Sequence, residues 1–161
     1  PMKILASIQK IDAYIIGCLH RLEVPLARTA IFAVYFWFGF LKILGLSPAG
    51  VLVQALFVKT IDFIPFSSFY MFFSLFEMAI GIIFLIRGLE RLGIFLLGLH
   101  IITTILPLIF LPDITWQEFL VPTLEGQYII KNILIASAAV VVGSKLIPLN
   151  RQGEQDFAAV E

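Results

Sequence analysis

The chain has 161 residues, of which 60% are hydrophobic and only 14% charged, with 11 basic and 11 acidic side chains that cancel. A mean hydropathy of +1.02 excludes an ordinary water-soluble domain, and the charge balance gives no footing for nucleic acid. Cys18 is the single cysteine, which excludes an intramolecular disulfide, a CxxC redox pair and any thiolate-built zinc or iron–sulfur site.

The segment "MKILASIQKIDAYIIGCLHRLE" comes first. It places Ile4, Ile8, Ile11, Ile15, Leu19 and Leu22 three or four residues apart, with Lys3, Lys10, Arg21 and Glu23 elsewhere. This spacing predicts an amphipathic helix over residues 3–23 lying in the headgroup plane, the alternative being a helix packed on a partner protein. No signal peptide is expected, because the first long apolar stretch contains Lys42 and follows this mixed segment.

Four windows are long enough to cross a hydrocarbon core of roughly 30 Å at about 1.5 Å per residue. They cover residues 26–46, 66–87, 91–111 and 127–147, leaving a short tail at 148–161. Pro25 is placed to open the first window. "SPAGVLVQALFVK" then predicts a short amphipathic cap on the far side, and "GLERLG" is so short that the second and third helices must form an antiparallel hairpin. The expected architecture is all-α: a single membrane domain, a four-helix transmembrane bundle with an N-terminal interfacial helix.

Orientation follows from the basic residues. With a cytoplasmic N-terminus, Lys3, Lys10, Arg21, Arg28, Arg87, Arg91, Lys145 and Arg151 lie on the inner side and only Lys59 on the outer. A multi-pass protein of the inner (plasma) membrane with both termini cytoplasmic is expected, and "PDITWQEFLVPTLEG" faces outward with Trp116 and Tyr128 near that interface. Lys42 and Lys131 fall inside spans and belong to neither loop set.

Polar residues within the spans recur at helical spacing. The second span carries Ser67, Tyr70, Ser74, Glu77 and Gly81 on one stripe, with Phe69, Phe72, Phe73 and Phe76 directed more widely outward. The first carries Arg28, Tyr35, Gly39 and Lys42; the third Gly93, His100, Thr104 and Pro107; the fourth Lys131 and Ala138, flanked by Asn132. Small residues on these stripes suit close helix approach. Lys42 and Lys131 share a depth near the outer end, with Glu77 and His100 nearer the midplane, and two lysines at one level call for Glu125, Asp62 or a bound anion as well as Glu77, or for one lysine to lose its proton through desolvation. The competing account is polar glue between helices, with Lys42 and Lys131 snorkelling to the interface. Glu77 is too short for that escape. Haem is not expected, since the other histidine, His20, lies in the N-terminal segment, and no metal site is expected either.

"YFWFGFLKILGLSPA", "FEMAIGIIFLI" and "LEGQYIIKNILIASAA" resemble the corresponding segments of the DoxX-like membrane proteins, in particular the inner-membrane RclC/YkgB-like group. The resemblance spans roughly residues 26–145 and carries onto Lys42, Glu77 and Lys131. It departs in a compact first outer loop and in Asn132, where an acid often stands. It implies a subunit of a membrane redox or oxidative-stress system, with resistance to reactive chlorine as the stress role. The candidate ligand-binding residues are Lys42, Glu77, His100, Lys131 and Asn132, with Tyr70, Thr104, Tyr128 and Glu125 as secondary candidates. The candidate ligand is a quinone or small anion, bound non-covalently. Expected partners are the lipid bilayer and either a redox protein or further copies of the chain. The alternative reading is a non-catalytic scaffold, lipid-binding or transport component whose polar core is structural.

Overall fold

The computed structural model describes residues 2–61 and 63–148, with side chains described from Ser7 onward. The expectations resting on Lys3, Ile4, Asp62, Arg151 and the tail beyond residue 148 lie outside these bounds. Among the described residues the fold is all-α, with four apolar stretches of helix long enough to cross a membrane. α1 runs over Met2–Ile43, α2 over Gly50–Thr60, α3 over Phe66–Leu85 and α4 over Glu90–Phe110. After the short α5 (Pro112–Thr115) come α6 (Leu124–Ile130) and α7 (Asn132–Gly143), which together make the fourth span.

The four long elements form a ring. α1 packs on α3 and α7, and α4 closes the ring by packing on the same two. The core between them contains Ile31, Tyr35, Ile80, Phe84, Leu97 and Val142. Most remaining apolar side chains are exposed on the outside, Phe72 and Phe95 among them, as expected where the surrounding solvent is lipid.

The α1–α3 contact is the tightest, because glycines remove side chains from both surfaces. A Cβ on Gly39 would stand 2.8 Å from the Ser74 carbonyl oxygen and 2.7 Å from Met78 Cγ. On the other helix, a Cβ on Gly81 would stand 3.0 Å from the Phe36 nitrogen and 3.2 Å from the Phe32 carbonyl oxygen. Gly39 meets residues 74–78 while Gly81 meets residues 32–36, so the two helices run antiparallel. Small residues on facing helices let backbones approach and supply the dispersion contacts that hold membrane helices together.

The N-terminal element differs from the sequence expectation. One helix of 42 residues runs straight through Pro25, where an interfacial helix followed by a separate span was expected. The proline deprives the Arg21 carbonyl of its usual partner, and both residues lie on exposed surface. Residues 7–22 are exposed on all sides except at half-buried Cys18, so this part of α1 is not clearly amphipathic in its setting.

The fourth span also departs from a uniform helix. It begins at Leu124, capped by the Thr123 hydroxyl, which accepts from the Gly126 N–H at 3.2 Å, and it tightens at Lys131, whose carbonyl accepts from Leu134 N–H at 3.0 Å. Gly126 is wedged against the Thr115 carbonyl, where no side chain fits. The preceding loop holds a two-stranded hairpin, β1 (Trp116–Glu118) with β2 (Val121–Pro122), turning at Leu120 with φ 59°.

Gly81→Leu is expected to force α1 and α3 apart and lower the melting temperature in detergent. Gly98→Leu, where a Cβ meets nothing within 4 Å, should leave it nearly unchanged. Thermal unfolding of the two variants side by side checks this.

Candidate functional site

Three helices deliver ionisable side chains to one buried place. Lys42 comes from the last turn of α1, Glu77 from the middle of α3 and His100 from the middle of α4, each with 5–7% of its surface exposed. The Lys42 ammonium contacts both carboxylate oxygens of Glu77. Its Nζ also lies 4.9 Å from the centre of the Phe73 ring, a cation–π placement. Lysine and glutamate neutralise each other here, which is the condition for either to persist in hydrocarbon.

His100 continues the chain of contacts. Its Nε2 lies 2.9 Å from Glu77 Oε1, and its Nδ1 lies 3.1 Å from the Tyr35 hydroxyl and 3.2 Å from Thr104 Oγ1. The tautomer follows from chemistry. An ionised carboxylate only accepts, so Nε2 carries a proton and donates it to Glu77, which in the neutral ring leaves Nδ1 as an acceptor. Thr104 has one hydroxyl proton and a 2.8 Å bond to the His100 carbonyl in which to use it, so Tyr35 is the donor to Nδ1. The result is a directed line: Tyr35 O–H to His100, His100 N–H to Glu77, Lys42 ammonium to Glu77.

Aromatic rings wall this line. Phe73 stacks on His100 at 5.0 Å and 21°, Tyr35 meets it edge-on at 5.1 Å and 70°, and Phe76 stands at 6.2 Å. Phe73 and Phe76 therefore turn inward onto His100, in place of the outward direction that the spacing of the phenylalanines implied. Ser74, fully buried, spends its hydroxyl on the Tyr70 carbonyl at 2.6 Å.

The structure thus brings together Lys42, Glu77, His100 and Thr104. Lys131 does not join them. It is exposed, with its Nζ 5.2 Å over the ring of Tyr128, which is itself exposed. The paired-lysine arrangement expected across α1 and the fourth span is therefore replaced by a Lys42–Glu77 pair, because Lys131 sits at the tightened turn between α6 and α7 and its stem carries the charge to the surface. Asn132 is half-buried beside it, and Glu125 is exposed. Tyr70 is half-buried and stacks at 5.2 Å on Phe66; its hydroxyl would lie 3.2 Å from a Cβ on Gly50, at the start of α2. It borders the α2 cap and makes no direct contact in the Lys42–Glu77–His100 line.

Tyr35 is the member that sequence reasoning undervalued. It shares a stripe with Lys42, but a tyrosine among so many aromatics reads first as packing. A second ion pair was missed as well: Arg28 Nη1 lies 2.6 Å from Glu90 Oε1, and Arg28 Nε donates to the Phe84 carbonyl at 2.6 Å, tying α1 to the α3–α4 connection. Arg28 Nη2 is buried without a hydrogen-bond partner. Arg28 stands two helical turns from Tyr35 on the stripe, but the signal needed to pair it was Glu90 in "GLERLG", which sequence reading assigned only to the turn.

Breaking the buried pair on one side is expected to be costly and on both sides cheap. Lys42→Met and Glu77→Leu should each lower stability by about 3 kcal/mol, since each strands a charge, while the double variant should recover most of that loss. Denaturation of all four proteins in one detergent measures the coupling.

Comparison with family models, with curated proteins and with solved structures gives no match for this chain.

Proposed function

We propose that this multi-pass membrane protein is a DoxX-like subunit of an inner-membrane redox or oxidative-stress system, in which the Tyr35–His100–Glu77–Lys42 line binds a quinone-class ligand and moves its protons. The observation that carries the reading is the line itself: four titratable side chains from three helices, joined end to end inside a hydrocarbon environment. Ionisable residues within spans are expensive, and chains of acid and histidine groups there typically serve proton relays.

The residues suit such a ligand. An ammonium has three N–H bonds and Glu77 offers two oxygens, so Lys42 retains a donor for a carbonyl or quinone oxygen. Lys42 lies one residue from the end of α1, and Tyr35 lies seven residues deeper, about 10 Å along the helix. A ligand oxygen at Lys42 would therefore meet the line at the member nearest the end of α1. Quinone reduction needs two electrons and two protons. Within this reading Glu77 and His100 hold and pass protons, and a redox partner protein supplies the electrons.

The second reading is a scaffold, lipid-binding or transport component, and one observation favours it: Lys42 and Glu77 already neutralise each other without any ligand. Replacements that spare the ion pair separate the two. Protein purified from native membranes in mild detergent is extracted with organic solvent and the extract assayed for quinone. The expected result is quinone retained by the parent and lost from Tyr35→Phe and His100→Gln while both variants remain folded in the same detergent. Absence of quinone from the parent, or equal content in all three, overturns the proposal in favour of the structural role.

Within the same reading both termini face the cytoplasm, supported by the basic residues Lys10, Arg21, Arg28, Arg87, Arg91 and Lys145 gathered towards one end of the bundle, with Lys59 at the other. A reporter that works only outside the cytoplasm should be active when fused after Trp116; its inactivity there, with activity of a reporter that works only in the cytoplasm, would overturn the orientation.

A further inference from the structure

The end of the bundle that carries Lys59 holds an open groove of about 520 Å³ between α2 and the junction of α4 with α5. α2 has two working faces. Phe57, its buried side chain, packs on Phe66 and Phe69 of α3 with ring centres 5.4 and 4.8 Å away. Val51, Ala55 and Val58, at intervals of four and three, line the groove, and Leu111 and Ile114 complete its apolar surface. Val51 and Val58 are 78% and 72% exposed, so most of the aliphatic surface they offer is uncovered by the chain.

Lys59 sets the level of this groove. Its Nζ donates to the carbonyl of Phe110, the last residue of the 21-residue α4, at 3.0 Å, which puts the groove at the end of a span, where hydrocarbon gives way to headgroups. Three polar side chains line it, Gln54, Lys59 and Asp113, all exposed. Lys59 has two N–H bonds left after the one to Phe110. The side chains of Gln54 and Asp113 have no partner among the described residues, and Lys59 and Asp113 are not paired with each other. A cation and an anion that share one groove without meeting suit a ligand that carries both signs.

We propose that this groove binds one phospholipid whose headgroup joins a phosphate to a primary ammonium, the phosphatidylethanolamine class, with the phosphate on Lys59, the ammonium on Asp113 and the chains starting along Val51, Ala55 and Val58. Charge selects this occupant. A neutral amphiphile uses neither charge, an anionic headgroup meets Lys59 but is repelled by Asp113, and a choline headgroup has no N–H to donate to the carboxylate. The ammonium zwitterion satisfies both, and Gln54 has an amide N–H for an ester carbonyl. The setting favours lipid over a protein segment: the surface beside the groove includes Ile109 and Phe110, 68% and 47% exposed at the end of a span, where the bilayer itself supplies the amphiphile of two signs. None of the lining residues belongs to the Tyr35–His100–Glu77–Lys42 line, so the site stands apart from whatever that line binds.

Native mass spectrometry of the full chain tests the proposal, after delipidation in detergent and return to an equimolar mixture of phosphatidylethanolamine, phosphatidylcholine and phosphatidylglycerol. The parent should retain one phosphatidylethanolamine in preference to either other lipid by roughly fivefold, the scale of one exposed charged contact. Asp113→Asn should bring both ratios close to one, Asp113→Lys should turn the preference to phosphatidylglycerol, and Lys59→Gln should lower retention of all three. Glu118→Gln, which neutralises another exposed acid nearby in β1, should keep the parent's preference. Circular dichroism in the same detergent confirms that each variant is folded. Equal retention of the three lipids by the parent, an unchanged preference in Asp113→Asn, or the same loss in Glu118→Gln overturns the proposal. A folded parent that retains none of the three also overturns it, and assigns the groove to a partner protein.

Discussion

A lysine and a glutamate can stand in the hydrocarbon of a membrane only in each other's company, and Lys42 with Glu77 fixes how α1 and α3 meet. Either group alone would carry an uncompensated charge, so any rotation or slide that separates them is resisted by desolvation as well as by lost attraction. The two glycines make the pairing possible. Gly39 lies three residues before Lys42, and Gly81 four after Glu77, so each clears space about one turn from the charge it accompanies. Close approach at the glycines brings a lysine with four methylenes and a shorter glutamate within contact. The same antiparallel register then places Tyr35 opposite α4, where His100 waits.

His100 turns a pair into a line. Its ring has two nitrogens with different roles, and the carboxylate on one side dictates the proton arrangement on the other. Phe73 serves both parts, stacking on the imidazole and lying under the ammonium, so one side chain limits water access to the histidine and the lysine alike. Polar contacts in such surroundings are stronger than in water, and a broken one is correspondingly expensive.

The transmembrane elements were legible in the sequence because hydrocarbon thickness sets their length and composition their identity. The polar stripes were legible because 3.6-residue periodicity places Glu77 with Ser74 and Gly81 whatever the tertiary structure. The partners of those stripes were not. Sequence spacing put Lys42 and Lys131 at one depth, but depth leaves the azimuth of each helix open, and Lys131 lies over Tyr128 and away from Lys42. Phe73 and Phe76 show the same limit: spacing places them beside the polar stripe, and only packing turns them onto His100. Pro25 misled for a different reason. A proline inside a helix usually kinks or ends it, whereas α1 continues through Pro25 on its exposed surface.

The continuity of α1 through Pro25 joins two regions that the sequence treated as separate. Tyr35 and Lys42, the two ends of the buried line, sit on the same helix as the exposed residues 7–22, with Arg28 and Glu23 between. Arg28 binds Glu90 and the Phe84 carbonyl, and Glu23 binds Lys145, so α1 is clamped to both the α3–α4 connection and the end of α7 where it leaves the bundle. These clamps resist turning of the helix about its own axis. A turn imposed on residues 7–22 reaches Tyr35 only by straining them, unless Pro25, which lacks one helical hydrogen bond, absorbs the motion first. The geometry of the buried line is thereby set by the bundle.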